Sequence, residues 1–151
     1  MVRSAFLTGR VVAGCCLLVL AACATSKPVA PPPPSAATAP APSANPKAMP
    51  DQATLALYRT WIGEARAKYP YPESEARMYA VMMCESEGRA AVVNPAGPYT
   101  GLFQYATQTW KGAWNTYRDD GILSARAQIF ATALAWSLKM QSHWDCYKKT
   151  G

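Results

Sequence analysis

Glu85 has the setting that most invites chemistry. It closes the run Tyr79-Ala80-Val81-Met82-Met83-Cys84. On a helix its neighbours one turn back are Val81 and Met82, with Met78 two turns back. A carboxyl group set against apolar side chains loses hydration of its charged form, so its pKa rises. An acid that keeps its proton near neutral pH can deliver it to the leaving oxygen of a glycosidic bond. The same pattern also reads as a helix-end Glu turned to solvent, and taken alone it leans slightly that way. Glu87, two residues on, leaves the helix in another direction, so the two do not form a carboxylate pair on one face.

The elements that would position this carboxyl are helical. Asp51 caps a first helix whose Leu55, Tyr58, Trp61, Ile62 and Ala65 recur at three- and four-residue steps. Tyr69-Pro70-Tyr71-Pro72 breaks it, and Glu73 and Glu75 suit the positive end of a second helix. Met78 to Cys84 is apolar on every side, which predicts a buried central helix ended by Gly88. Residues Val93 to Gly101, rich in Asn, Pro and Gly, predict a surface loop. A third helix is expected over Thr107 to Tyr117, with Trp110, Trp114 and Tyr117 on one face, then a turn at Asp119-Asp120-Gly121. Ser124 caps a fourth, whose inner face carries Ile129, Ala133, Trp136 and Met140. No segment alternates as a sustained strand. The fold class is therefore all-α, with room for a minor β-hairpin between Val92 and Tyr105.

Ahead of this domain, at residues 51–151, lie two segments of different composition. Residues 1–22 read as a secretory signal: Arg3 and Arg10 are followed by the apolar stretch Val11 to Leu20, too short to span a bilayer. The segment Leu20-Ala21-Ala22-Cys23 resembles the bacterial lipobox, which implies cleavage before Cys23 and its acylation. Each buried methylene of such a chain adds roughly 0.8 kcal/mol to anchoring. Ala24, rather than Asp, follows the Cys. That is similar to lipoproteins released to an outer membrane, facing the periplasm, where a cell has two membranes. Residues 23–50 form a tether: nine of the thirteen prolines lie between Ala24 and Pro50. At about 3.1 Å per residue in polyproline II, this stretch reaches roughly 80 Å. The expected location is thus the cell envelope, with the membrane as a partner through Cys23.

Charge argues against nucleic acid. The net charge is +6, but Arg3, Arg10, Lys27 and Lys47 lie outside the domain. From Asp51 onward, 11 basic residues face 9 acidic ones, so the domain lacks a strong basic excess. Of five cysteines, Cys15 and Cys16 leave with the signal and Cys23 would carry lipid. Cys84 and Cys146 remain, and an exported domain usually pairs two such thiols. With His143 the only histidine, a zinc site would be one ligand short, so neither metal nor other cofactor is expected.

Taken in order, Cys84-Glu85-Ser86, Asn94 to Tyr99, Gly101-Leu102-Phe103-Gln104 and Thr109-Trp110 resemble the lysozyme-like superfamily. Soluble lytic transglycosylases carry a Glu-Ser pair at a helix end, then Gly-Leu-x-Gln and a Thr. A Cys before the Glu, with a distant partner in Trp144-Asp145-Cys146, and Gln128-Ile129 opening the last helix, are similar to resuscitation-promoting-factor domains. The resemblance spans roughly residues 73–146 and implies a lysozyme-like helical domain. It also implies peptidoglycan as the partner, cut between N-acetylmuramic acid and N-acetylglucosamine, with Glu85 as acid and then base. Gln104 would line the cleft and Gln128 would hold a sugar or water, with Ser86 also at the substrate. Tyr99, Tyr105 and Trp110 would offer flat faces to sugar rings, or pack in the core.

Departures leave the reaction type open between an anhydro product and a reducing end. Glu87 stands where Gly or an apolar residue is usual, and Thr107 replaces a proline. Ala131-Thr132-Ala133-Leu134-Ala135 replaces an Ala-Tyr-Asn-Ala-Gly segment. No second carboxylate is clearly placed, which favours a one-acid mechanism assisted by the substrate's acetamido group, with Asp119, Asp120 and Asp145 as possible second groups. The alternative is a non-catalytic peptidoglycan-binding or envelope-assembly lipoprotein. Anchoring is testable apart from the chemistry. Cys23→Ala should move the protein from the membrane to the soluble fraction, and the mature wild type should begin at an acylated Cys23. Partitioning of the wild type into the aqueous phase of a detergent separation would refute this.

Overall fold

Residues 48–151 are described in the computed structural model of the chain; the signal, Cys23 and the tether up to residue 47 lie outside them. Helix α1 spans Gln52–Lys68 and opens as its sequence predicts, the Thr54 N–H donating to Asp51 Oδ1 at 2.7 Å. Its buried stripe is Tyr58, Trp61, Ile62 and Ala65, and it stops at Tyr69, before Pro70. Helix α2, Glu75–Ser86, is capped by Ser74, whose Oγ accepts from the Arg77 N–H. Residue Glu87, in the left-handed conformation at φ 56°, ends it one position before Gly88. Gly88 follows at φ 78°, and a Cβ there would meet Leu55 and Pro50 at 2.9 and 3.2 Å. The entry to α1 therefore packs against the exit from α2.

Three two-residue strands follow: β1 (Val93–Asn94), β2 (Tyr99–Thr100) and β3 (Tyr105–Ala106), an antiparallel sheet in sequence order. Asn94 pairs with Tyr99, and Thr100 with Tyr105. The expected loop thus contains the minor hairpin and gains a third strand. Helix α3 covers only Thr107–Trp110, not the stretch to Tyr117 that the aromatic spacing predicts. Asn115 gives the reason. Fully buried, it donates from Nδ2 to the Trp110 carbonyl at 2.8 Å and accepts from the Tyr117 N–H at 2.9 Å. These side-chain bonds serve backbone groups as an irregular turn. Trp114 and Tyr117 still pack on the core from it.

Helix α4, Ala125–Ser137, is capped by Ser124 as expected, and it rather than α2 is the central helix. Nine of its residues are buried, Ala127 through Ala133 without interruption. The alanines among them let neighbouring elements come close, and α1 lies along it. In α2 only Met78, Val81, Met82 and Ser86 are buried, and Cys84 is exposed. The inner face of α4 includes Ile129, Ala133 and Trp136, but the helix ends before Met140, with Lys139 at φ 64°. The chain closes with helix α5, Asp145–Lys149. Cys84 and Cys146 are disulfide-bonded, with Cα atoms 5.8 Å apart.

Between β2 and β3 the chain dives inward, and Leu102 and Phe103 are fully buried. Their backbone goes in with them and needs partners. Gln128 on α4, itself fully buried, accepts from the Phe103 N–H at 3.0 Å through Oε1. Its Nε2 donates to the carbonyls of Thr100 and Ile122. Gly101, at φ 79°, lies so close over this amide that a Cβ would overlap it. Gly101→Ala combines that overlap with a left-handed backbone. It should destabilise the domain by about 2 kcal/mol or more, read as a lower denaturant midpoint with an unchanged slope.

Candidate active site

The last turn of α2 brings Glu85 to a groove of about 350 Å³. One part of the lining comes from the sheet and its exit: Asn94, Tyr99, Gln104, Tyr105, Ala106 and Thr109. Another comes from the C-terminal segment, with His143, Trp144, Asp145, Cys146 and Lys149. The disulfide ties these parts together at the acid itself, since Cys84 precedes Glu85. Glu85 is half-buried, and its Oε1 accepts from the Cys146 N–H at 3.3 Å.

Burial pushes the Glu85 carboxyl above its ordinary range. The Cys146 N–H, which binds the charged form, works against that rise; Asp145 adds to it by like-charge repulsion, and Lys149 opposes it. The direction is that of a group that holds its proton. The geometry thus favours the desolvated reading of Glu85 over the solvent-facing one. Glu87 points away, exposed and 3.7 Å from Arg89.

Of the other expected site residues, Gln104 and Tyr99 stand in the groove with Glu85. Gln104 has φ 49°, and its Nε2 donates to the Gly101 carbonyl at 2.8 Å, which leaves its oxygen as the group that bond does not use. Tyr99 is 44 % exposed, open enough to offer a ring face.

Three assignments are corrected. Gln128 cannot hold a sugar or water, because it is fully buried and its amide serves the Phe103 N–H and the Thr100 and Ile122 carbonyls. Ser86 is also buried, and its Oγ donates to the Leu102 carbonyl at 2.9 Å. Tyr105 borders the groove but is only 2 % exposed. Its hydroxyl is turned to Thr132 Oγ1 at 3.0 Å, and its ring lies edge-on to Trp110 and Trp144. It is a wall of the site, not a sugar platform. Trp110 takes the core-packing alternative, its Nε1 bonded to the Arg118 carbonyl at 3.1 Å.

Among the three candidate second carboxylates, only Asp145 lines the groove, where it is exposed and 3.8 Å from Lys148. Asp119 and Asp120 sit on an exposed 3-10 turn, Arg118–Asp120, outside the lining. Sequence reasoning passed over Asn94, His143 and Lys149 as site residues. The run His143 to Cys146 carried one signal: a cysteine bonded beside the acid must bring its own neighbours there. No family model matches the chain, and neither a curated protein nor a solved structure matches it.

The charges around Glu85 make a sign-specific prediction. Asp145→Asn removes a repulsion and should lower the Glu85 titration midpoint. Lys149→Gln removes an attraction and should raise it. Carbon-13 NMR of the labelled Glu85 carboxyl would show both shifts. Shifts of the same sign in the two variants would contradict the arrangement.

Proposed function

We propose that this protein cuts the glycan strand of peptidoglycan between N-acetylmuramic acid and N-acetylglucosamine, as a lytic transglycosylase with Glu85 as its one catalytic residue. The observation that carries this reading is the half-buried Glu85 carboxyl, its pKa raised, in a groove shared with Gln104 and the open ring of Tyr99. The order of the Glu85-Ser86, Gly101 to Gln104 and Thr109 segments supports it as a resemblance. A lipid anchor at Cys23 would hold the activity in the cell envelope.

In this mechanism protonated Glu85 gives its proton to the glycosidic oxygen. The bond from that oxygen to C1 of the muramic acid residue breaks, and the N-acetylglucosamine side leaves as an alcohol. The acetamido oxygen of the same muramic acid residue closes on C1 and carries the positive charge as an oxazolinium. The Glu85 carboxylate then takes the proton of the C6 hydroxyl as its oxygen attacks C1. The acetamido group is released, a 1,6-anhydro end forms, and Glu85 is protonated again. No second carboxylate is required. That suits a groove in which Asp145, the nearest candidate by position, is exposed to water.

Glu85→Gln keeps size but cannot give a proton, so release of muropeptides from purified sacculi should fall by about 10²–10⁴-fold. Glu87→Gln should change it little, since that side chain is exposed and lies outside the groove lining. Mass spectrometry should find anhydro-muramic ends among the products of the wild type. Glu85→Gln should also fold at least as well at neutral pH. A raised folded-state pKa gives stability that is full below the unfolded value and is lost as pH rises through the folded one. Above the unfolded value the raised pKa is therefore a cost to folding that the amide does not carry. Full activity in Glu85→Gln would place the acid at another residue, and a wild type that binds sacculi without cutting them would reduce the domain to a binding module.

A further inference from the structure

Cys146 grips two consecutive residues at once. Its sulfur is bonded to Cys84, and its N–H donates to the carboxylate of Glu85. Helix α5, which carries it, has five residues, too few to persist alone in water. Hydrogen bonds hold it at two further points: Trp144, just before it, donates from Nε1 to the Phe103 carbonyl, and Tyr147, within it, donates from Oη to Glu73. The helix supplies Asp145, Cys146 and Lys149 to the groove.

We propose that the Cys84–Cys146 bridge is a positioning device for Glu85, seating α5 as a wall of the groove and holding the Cys146 N–H on the carboxylate, so that the site is competent only in its oxidised form. This rests on the reading of Glu85 as the acid. Cys84 is the exposed partner and Cys146 is buried, so a dithiol reductant reaches the Cys84 sulfur first. Its thiolate attacks that sulfur, the S–S bond breaks, and the Cys146 sulfur leaves with the electron pair and takes a proton. The second thiol of the reductant then displaces Cys84 and closes its own disulfide. Two electrons and two protons pass to the protein in all.

Without the bridge α5 loses its covalent hold, while the hydrogen bonds of Trp144 and Tyr147 remain. The groups that face Glu85 are Asp145 and Lys149 of α5, His143 before it, and Tyr99 and Tyr105 of the sheet, with the Glu87–Arg89 pair further along its own chain. Burial is the largest influence on Glu85, ahead of the Cys146 hydrogen bond. Water entering behind a displaced α5 therefore brings the carboxyl back towards its ordinary range, although the hydrogen bond is lost as well. An acid must be protonated to act, so the alkaline limb of the activity profile moves to lower pH.

The test uses the full chain, oxidised and dithiol-reduced, at low temperature with an osmolyte that favours the compact state. A Cys84→Ala, Cys146→Ala double variant repeats it without reductant. Expected are retained helical circular dichroism, a fall of about a hundredfold in sacculus cleavage that reoxidation reverses in the wild type, and an alkaline limb at lower pH. In the carbon-13 spectrum the Glu85 midpoint should fall on reduction. Unchanged cleavage and an unchanged midpoint would overturn the proposal. So would loss of the helical signal, because the bridge would then hold the whole fold and not the groove. If the oxidised chain releases no muropeptides, the enzymatic reading fails. The Glu85 midpoint then decides positioning alone: a fall on reduction supports it, and no change overturns it.

Discussion

The structure depends on how the backbone between Gly101 and Gln104 is satisfied. Leu102 and Phe103 drive it inward because their side chains belong to the core, and the peptide groups follow. Three side chains from three places meet them: Ser86 from α2, Gln128 from α4 and Trp144 from the segment before α5. Each is buried, so leaving a partner unmet costs more than a surface bond would. Ser86, next to Glu85, and the segment that ends at Gln104 are thereby fixed behind the groove. A motif that looks catalytic is thus mostly a folding device. Glu85 and Gln104 are the members of it that reach the groove.

The local elements were legible where one residue decides them. Asp51 and Ser124 cap the helices they precede, and the α1 stripe of Tyr58, Trp61, Ile62 and Ala65 is the buried one. Elsewhere tertiary contacts overrode local pattern. Asn115 looks like an ordinary polar residue within a helical run, yet its buried amide ends the helix by bonding backbone on both sides. The apolar run of α2 suggests burial all round. The centre instead went to α4, whose alanines permit closer packing than methionines do.

The candidate site was legible to a similar, uneven degree. Glu85, Gln104 and Tyr99 meet in one groove as the residue order implied. Gln128 and Ser86 misled because a polar side chain reads the same in sequence whether it faces a ligand or a backbone group. Only burial separates the two cases. The C-terminal side of the groove was the hardest part to foresee: His143, Asp145 and Lys149 lie about sixty residues from Glu85, and the bridge brings them in together with the hydrogen bonds of Trp144 and Tyr147.

Gly88 has a mechanical consequence. Pro50 and Leu55 close over it, so the chain enters the domain at the exit of α2. Gly88 lies three positions after Glu85, a span of at most about 11 Å. The carboxyl therefore rides close to the pivot about which the domain would swing. A tethered body whose working point lies near its pivot sweeps that point through a small arc however freely it turns. Under the proposed anchoring, the reach of Glu85 would be set by the length of the leash, and tumbling of the domain would add little to it.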